Sequence, residues 1–271
     1  VARKCKPSRK YPDVIEFEGT WIDYPKLQQS VTEGFETFGE FGWIRTSGEN
    51  NTYTGVSLVY NPDHQDGINI HQSTLGTPKN DVGQYFWNKT DGHAVKKNSY
   101  FDTYGFRIPT PFAQTDYVGE ILKKFTLSPI RSRVSNIHAI EPVVKVANPD
   151  DPIRNPMGYD KRWHKDETIF ENVRMNIPIR TAPEFMFELD GHDPQHLEVG
   201  KLYTWDTYKE HGVFALENTG ACRTHMVLGF SPWWRYDAED ESWSKNEFYG
   251  KHPWDMYHDG DICPGLIISN L

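Results

Sequence analysis

Cysteine is scarce in this sequence: Cys5, Cys222 and Cys263 are the whole set, with no Cys-x-x-Cys pair. That excludes a disulfide framework and a zinc ribbon. No apolar run approaches the roughly 18–20 residues of a membrane span, which excludes an integral membrane helix. There is no cationic surplus either. The 29 Lys and Arg face 38 Asp and Glu, leaving a net charge of -9. Phosphate contact needs clustered basic side chains, so no nucleic-acid partner is expected. The small basic groups Arg3-Lys4, Arg9-Lys10, Lys96-Lys97 and Lys123-Lys124 read as solvated surface. The basic N-terminus lacks the apolar stretch of a secretory signal, so a cytoplasmic setting is expected and the sequons at Asn50 and Asn88 read as chance. No internal repeat and no low-complexity linker is visible.

Aromatic residues, by contrast, are abundant. There are 9 Trp, 14 Tyr and 15 Phe, alongside 18 Pro and 21 Gly. This mixture favours many short strands and turns over a helical bundle. A chain of 271 residues is routine for one β domain with elaborations. The reading is therefore a single domain over 1–271. It divides into an N-terminal α/β elaboration (1–125), a β core (126–232) and a C-terminal wrap (233–271). A helix is predicted over Asp116-Phe125, where residues 117, 118, 121, 122 and 125 form an apolar stripe behind Asp116 as N-cap. Strands are predicted around Val134 to Val146, Val173-Ile179, Phe185-Leu189, His196-Trp205 and Thr224-Phe230, with turn formers between them. Such spacing suggests an antiparallel sandwich or barrel.

Trp163-His164-Lys165-Asp166 contains His-x-Asp. On a strand, residues i and i+2 share a face, so an imidazole and a carboxylate converge on one ion. Alone the motif is weak, and a second copy stands at His64-Gln65-Asp66. The downstream residues separate the two copies. After His164 come several candidate strands, then His211, then Arg223 at the head of an apolar strand. Two imidazoles and one carboxylate occupy one face of an octahedral Fe(II), leaving three positions for a co-substrate and dioxygen. Arg223 supplies a planar charged fork suited to the far carboxylate of a dicarboxylic acid. His64 has no such sequel and reads as part of a polar loop. His192 and His196 read as a hairpin loop.

From His164 to Phe230 the chain resembles the aspartyl/asparaginyl β-hydroxylase-like branch of the Fe(II)- and 2-oxoglutarate-dependent oxygenases, which includes free-proline hydroxylases. The resemblance rests on Arg174-Met175-Asn176-Ile177-Pro178-Ile179, on Gly200 to Asp206, on His211-Gly212-Val213 with Asn218, and on Arg223-Thr224-His225. It covers roughly residues 131–232. It implies a double-stranded β-helix, the cupin-like jelly roll. It also implies Fe(II) on His164, Asp166 and His211, and 2-oxoglutarate paired with Arg223. Arg174 is open between binding the co-substrate, binding a substrate carboxylate and supporting the sheet. Asn176 is at a position that faces the co-substrate in the family, and His225, on the same face as Arg223, is a further candidate contact. Asn176 stands where His is usual, which implies rearranged contacts there. Asp166 is kept where some members carry Gly, so a full triad is expected and halogenation is not.

The implied activity is O2-dependent hydroxylation of an unactivated C–H, with release of succinate and CO2. The substrate would be an amino acid or a peptidyl Asp/Asn/Pro-type side chain. A non-catalytic cupin-like binding protein and a zinc hydrolase on the same ligands both stay open at this point.

Overall fold

The computed structural model describes residues 5–45, 48–63, 69–75, 84–87, 94–97, 103–138, 164–217 and 219–271. His64 and Asp66, the strand signals from Ile140 to Val146, Trp163 and Asn218 lie outside the described residues. In chain order the elements are β1 (Val14–Glu18), α1 (Tyr24–Phe38), β2 (Phe41–Arg45), β3 (Gly48–Ser57), β4 (Val59–Tyr60), β5 (Gln84–Trp87), β6 (Ala94–Lys97), β7 (Ile108–Pro109), α2 (Asp116–Leu122) and β8 (Pro129–His138). Next come β9 (Val173–Arg180), β10 (Phe185–Leu189), β11 (Lys201–Trp205), β12 (His211–Ala215), β13 (Cys222–Phe230), β14 (Trp234–Asp237), β15 (Ser242–Lys245) and α3 (Pro253–His258). The chain is mainly β, as the sequence suggests. Among the described residues, no helix is long and apolar enough to cross a membrane.

Seven strands form one antiparallel sheet in the order β1-β11-β9-β13-β8-β3-β2. β10 and β12 pair with each other in a separate antiparallel ladder. The large sheet has two chemically distinct faces, because strand side chains alternate. One face carries Ile15, Phe17, Val56, Val134, Val173, Met175, Ile177, Leu202, Met226 and Leu228, all buried in the main apolar core. Helical residues complete that core: Leu27 and Val31 of α1, Val118 and Ile121 of α2, Met256 and Tyr257 of α3. The alternate positions Arg174, Asn176, Arg223 and His225 are polar, yet equally buried. They occupy the face whose apolar members Ile137, Tyr203 and Trp205 pack against Phe185, Phe187, Val213 and Ala215 of the β10–β12 ladder.

Two helices differ from the sequence expectation. α2 has Thr115 as its N-cap, with the extended backbone of a cap (φ -65°, ψ 152°). Asp116 is instead the first helical residue, where a negative charge still suits the helix dipole. The whole of α1 was not expected. Asp23 caps it by accepting from the Lys26 N–H at 3.1 Å, and Pro25 fits its first turn because that turn has no partner for an N–H.

Candidate metal centre

The three residues of the expected triad come together. One ligand atom each from His164, Asp166 and His211 lies within 4.8 Å of the others. Both imidazole Nε2 atoms stand 3.6 Å from Asp166 Oδ2. The backbone fixes this spacing. His164 and His211 form an isolated antiparallel bridge, each N–H donating to the other's carbonyl at 3.1 Å. The rings lie 4.5 Å apart at 50°. Two residues on, the Asp166 N–H donates to the Thr207 carbonyl at 2.8 Å. Thus the 164–166 segment runs as a short extended piece beside the start of β12.

Exposure divides the triad. The His164 side chain is 48% accessible, Asp166 14% and His211 6%. His211 stands edge-on to Trp205 at 5.7 Å between ring centres, and its Nδ1 is 2.9 Å from the Lys209 carbonyl. A carbonyl only accepts, so Nδ1 carries the proton and Nε2 presents a lone pair. This is the tautomer an ion needs, held by a neighbouring hydrogen bond.

Behind Asp166 lies a buried ionic network that the sequence reading did not contain. Arg174 Nη1 donates to Asp166 Oδ2, and its Nη2 donates to Glu167 Oε2 at 2.7 Å. The other oxygen of Glu167 receives Arg131 Nη1 at 2.5 Å and the Thr103 hydroxyl. Burial alone would raise the Asp166 carboxyl, but the Arg174 guanidinium outweighs it and holds the group well below the usual carboxylate range. Glu167 is brought down to about 2 in the same way, against burial, by Arg131 and Arg174. Burial depresses Arg131 to about 10, so it keeps its charge at neutral pH.

Arg131 reaches Glu167 from an unusual backbone. Its φ is 46°, in the left-handed region that non-glycine residues rarely occupy. The cause is a β-bulge. Val227 pairs with Arg133 but Gly229 pairs with Ile130, so β8 holds one extra residue. Glu167 had one visible signal, an acid directly after the His-x-Asp motif. Arg131 had none.

The remaining expected residues sort by position. Arg223 and His225 lie on β13 and touch: Arg223 Nη2 donates to His225 Nδ1 at 2.7 Å. The His225 proton therefore sits on Nε2, and that atom has no partner among the described residues. Burial, then the Arg223 charge, press the His225 pKa well below the ordinary imidazole value. Burial takes Arg223 to about 10. Asn176 lies opposite Val227 on β13 and Tyr203 on β11. Its Nδ2 is likewise buried with no partner among the described residues. Arg174, on the same face of the sheet, is engaged by the carboxylates of Asp166 and Glu167. Gly200 takes φ 105° in the turn before β11. Asp206 Oδ1 accepts from the Tyr208 N–H at 3.1 Å after β11. His192 pairs with Asp13 at the surface, 2.8 Å apart, and His196 Nδ1 meets the Phe185 carbonyl at 2.9 Å.

No protein-family model and no curated protein matches the chain. Among solved structures it is similar to AviO1 from Streptomyces viridochromogenes Tue57, at 13% identity and a TM-score of 0.26, over 74% of this chain and 94% of that one. It is also similar to IDO from Bacillus thuringiensis, at 12% identity and a TM-score of 0.27, over 76% and 95% of the two chains. Both TM-scores are too low to define a shared fold.

Proposed function

We propose that the chain is a jelly-roll Fe(II)- and 2-oxoglutarate-dependent oxygenase that hydroxylates an amino acid or a peptidyl side chain, with succinate and CO2 as co-products. The observation that carries this reading is the convergence of one ligand atom each from His164, His211 and Asp166 within 4.8 Å, with both Nε2 atoms 3.6 Å from Asp166 Oδ2. Two imidazole nitrogens and one carboxylate oxygen are the donor set of a facial-triad Fe(II) site.

The residues on the large sheet also fit a dicarboxylic co-substrate. Arg223 carries a positive charge in a buried position. His225 Nε2–H, on the ring that Arg223 contacts, and Asn176 Nδ2, opposite Val227 of the strand that carries Arg223, are buried donors without partners among the described residues. Unmet buried donors are costly, and an acceptor-rich anion beside Arg223 would satisfy the His225 Nε2–H. Ile137, which pairs with Arg223, packs on Phe185 and Ala215. That places Arg223 towards the Ala215 end of β12, four residues from His211. About 13 Å of strand separates the two ends, a span that an arginine side chain and a five-carbon dicarboxylate bridge together.

When bound, iron and 2-oxoglutarate supply the oxidation chemistry. The protein's own part is narrower. His164, Asp166 and His211 hold one face of the ion. Lys209 keeps His211 in the ligating tautomer. Arg223 and His225 orient the far carboxylate, and the Trp205 and Phe187 rings exclude water beside His211. The half-exposed His164 marks the open side, where substrate would approach.

A zinc hydrolase would use the same three ligands, and a non-catalytic binding protein would keep the same strands. The unmet His225 donor beside Arg223 calls for a buried anion, which favours the oxygenase over the hydrolase. Anaerobic addition of Fe(II) and 2-oxoglutarate should give a weak visible charge-transfer band. Oxygen uptake should then accompany succinate release in a screen of free amino acids and short peptides. His211→Ala should abolish both while leaving the circular dichroism unchanged. Succinate release that survives His211→Ala would refute the assignment, and metal-dependent hydrolysis without oxygen uptake would replace it with the zinc reading.

A further inference from the structure

We propose that Arg174 is a positioning residue that sets the direction of the Asp166 carboxylate towards the two imidazoles, with Glu167 and Arg131 as its anchor. The inference rests on the metal-centre reading and adds a role which that reading does not contain. Its starting point is the choice of atom. Arg174 Nη1 donates to Oδ2 of Asp166, and Oδ2 is the oxygen that lies 3.6 Å from both ring nitrogens. A carboxylate oxygen has two lone-pair directions. With one taken by the guanidinium, the other is left for an ion between the imidazoles, from which Oδ2 is equally distant.

The fork cannot swing, because its second arm is tied. Nη2 donates to Glu167 Oε2 at 2.7 Å, and Glu167 is itself held by Arg131 at 2.5 Å, by Thr103 and by Asn172 Nδ2 at 3.5 Å. The backbone is pinned on both sides as well. The Thr207 hydroxyl donates to the Glu167 carbonyl at 2.7 Å. The Arg174 carbonyl accepts from the Thr204 hydroxyl at 2.5 Å and from the Tyr257 hydroxyl at 3.2 Å. The balance of charge supports a directing role. Two carboxylates and two guanidiniums sum to zero, so Glu167 offsets the Arg174 charge. Arg174 therefore delivers orientation to Asp166 as well as the charge that keeps it ionised. Lysine keeps the charge but is a single-point donor without a planar fork, so it cannot span both carboxylates.

Co(II) alone serves as the probe, followed by its visible d–d absorption and by calorimetry. Wild type should bind and give a structured band. Arg174→Lys should fold normally, with unchanged circular dichroism, yet bind Co(II) about tenfold or more weakly and with an altered band. That size is typical when a partner of a metal ligand is lost. Arg174→Gln should lose at least as much. Glu167→Gln, which frees the second arm of the fork, should shift the same band with a smaller loss of affinity. Wild-type affinity and band shape in both Arg174 variants would overturn the proposal. So would a lysine variant that fails to fold, since Arg174 would then be a framework residue. If wild type itself takes up no Co(II), the metal-centre reading fails first and this inference falls with it.

Discussion

His225 is a neutral imidazole by construction. Arg223 donates to its Nδ1, and burial with that neighbouring charge keeps the ring from protonating until well below its ordinary pKa of 6.5. In the unfolded chain the same ring takes up a proton near pH 6.5. Below that value the unfolded state binds the extra proton and the folded state does not, so stability falls as pH falls. The loss is about 1.4 kcal/mol per pH unit for one such group. Urea unfolding compared at about pH 7 and pH 5, above the carboxylate range, should show this slope. His225→Asn, whose amide oxygen still accepts from Arg223, should flatten it. An unchanged slope would mean that His225 is not buried as the neutral form. At the same scale, the proposed oxygenase function predicts that Arg223→Ala raises the 2-oxoglutarate requirement far more than it weakens metal loading. Arg174→Lys should do the reverse, because its fork faces Asp166 and Glu167.

At the scale of elements, α1 is a case where packing overrides propensity. Gly34 sits inside the helix, and replacing it with alanine would ordinarily gain about 1 kcal/mol. Here a Cβ would fall 2.1 Å from the Phe112 ring, which is itself fully buried. Forcing extra volume into a close-packed site typically costs about 1–3 kcal/mol. Gly34→Ala should therefore destabilise the protein despite better helix propensity, read as a lower urea midpoint. The missed helix was readable in principle. Asp23, Pro25 and then Leu27, Val31, Phe35 and Phe38 give a cap, a first-turn proline and an apolar stripe, but the aromatic residues at both ends suggest strands. β9 and β13 were legible because strict alternation puts Val173, Met175 and Ile177 on one face and Arg174 and Asn176 on the other. The triad was legible because all three members are chemically conspicuous. The Arg131 contact was not, because a bulge in β8 changes which residues reach across, and no local residue pattern announces a bulge.

The whole molecule is closed by chain segments far from the site in sequence. Tyr257 of α3 is fully buried in the main core and tilts against Phe17 of β1 at 5.1 Å between ring centres. Its hydroxyl donates to the Arg174 carbonyl, so the C-terminal helix grips the strand that carries Arg174. Tyr257→Phe should cost about 1 kcal/mol, the net worth of one hydrogen bond, since Thr204 still serves that carbonyl. Tyr257→Ala should cost about 3–5 kcal/mol through the cavity it leaves. Chemical denaturation of the pair separates the two contributions, and equal losses would show that the ring contributes little packing.

The paired main-chain hydrogen bonds between His164 and His211 have one more consequence. They join the two imidazoles through the backbone across 47 residues of chain, independently of any occupant. A cation arriving there would meet two histidines whose main chain is already paired, so its binding would need side-chain adjustment rather than ordering of the polypeptide. Chelation and reloading should then be reversible without a refolding step, and the emptied protein should unfold as cooperatively as the loaded one.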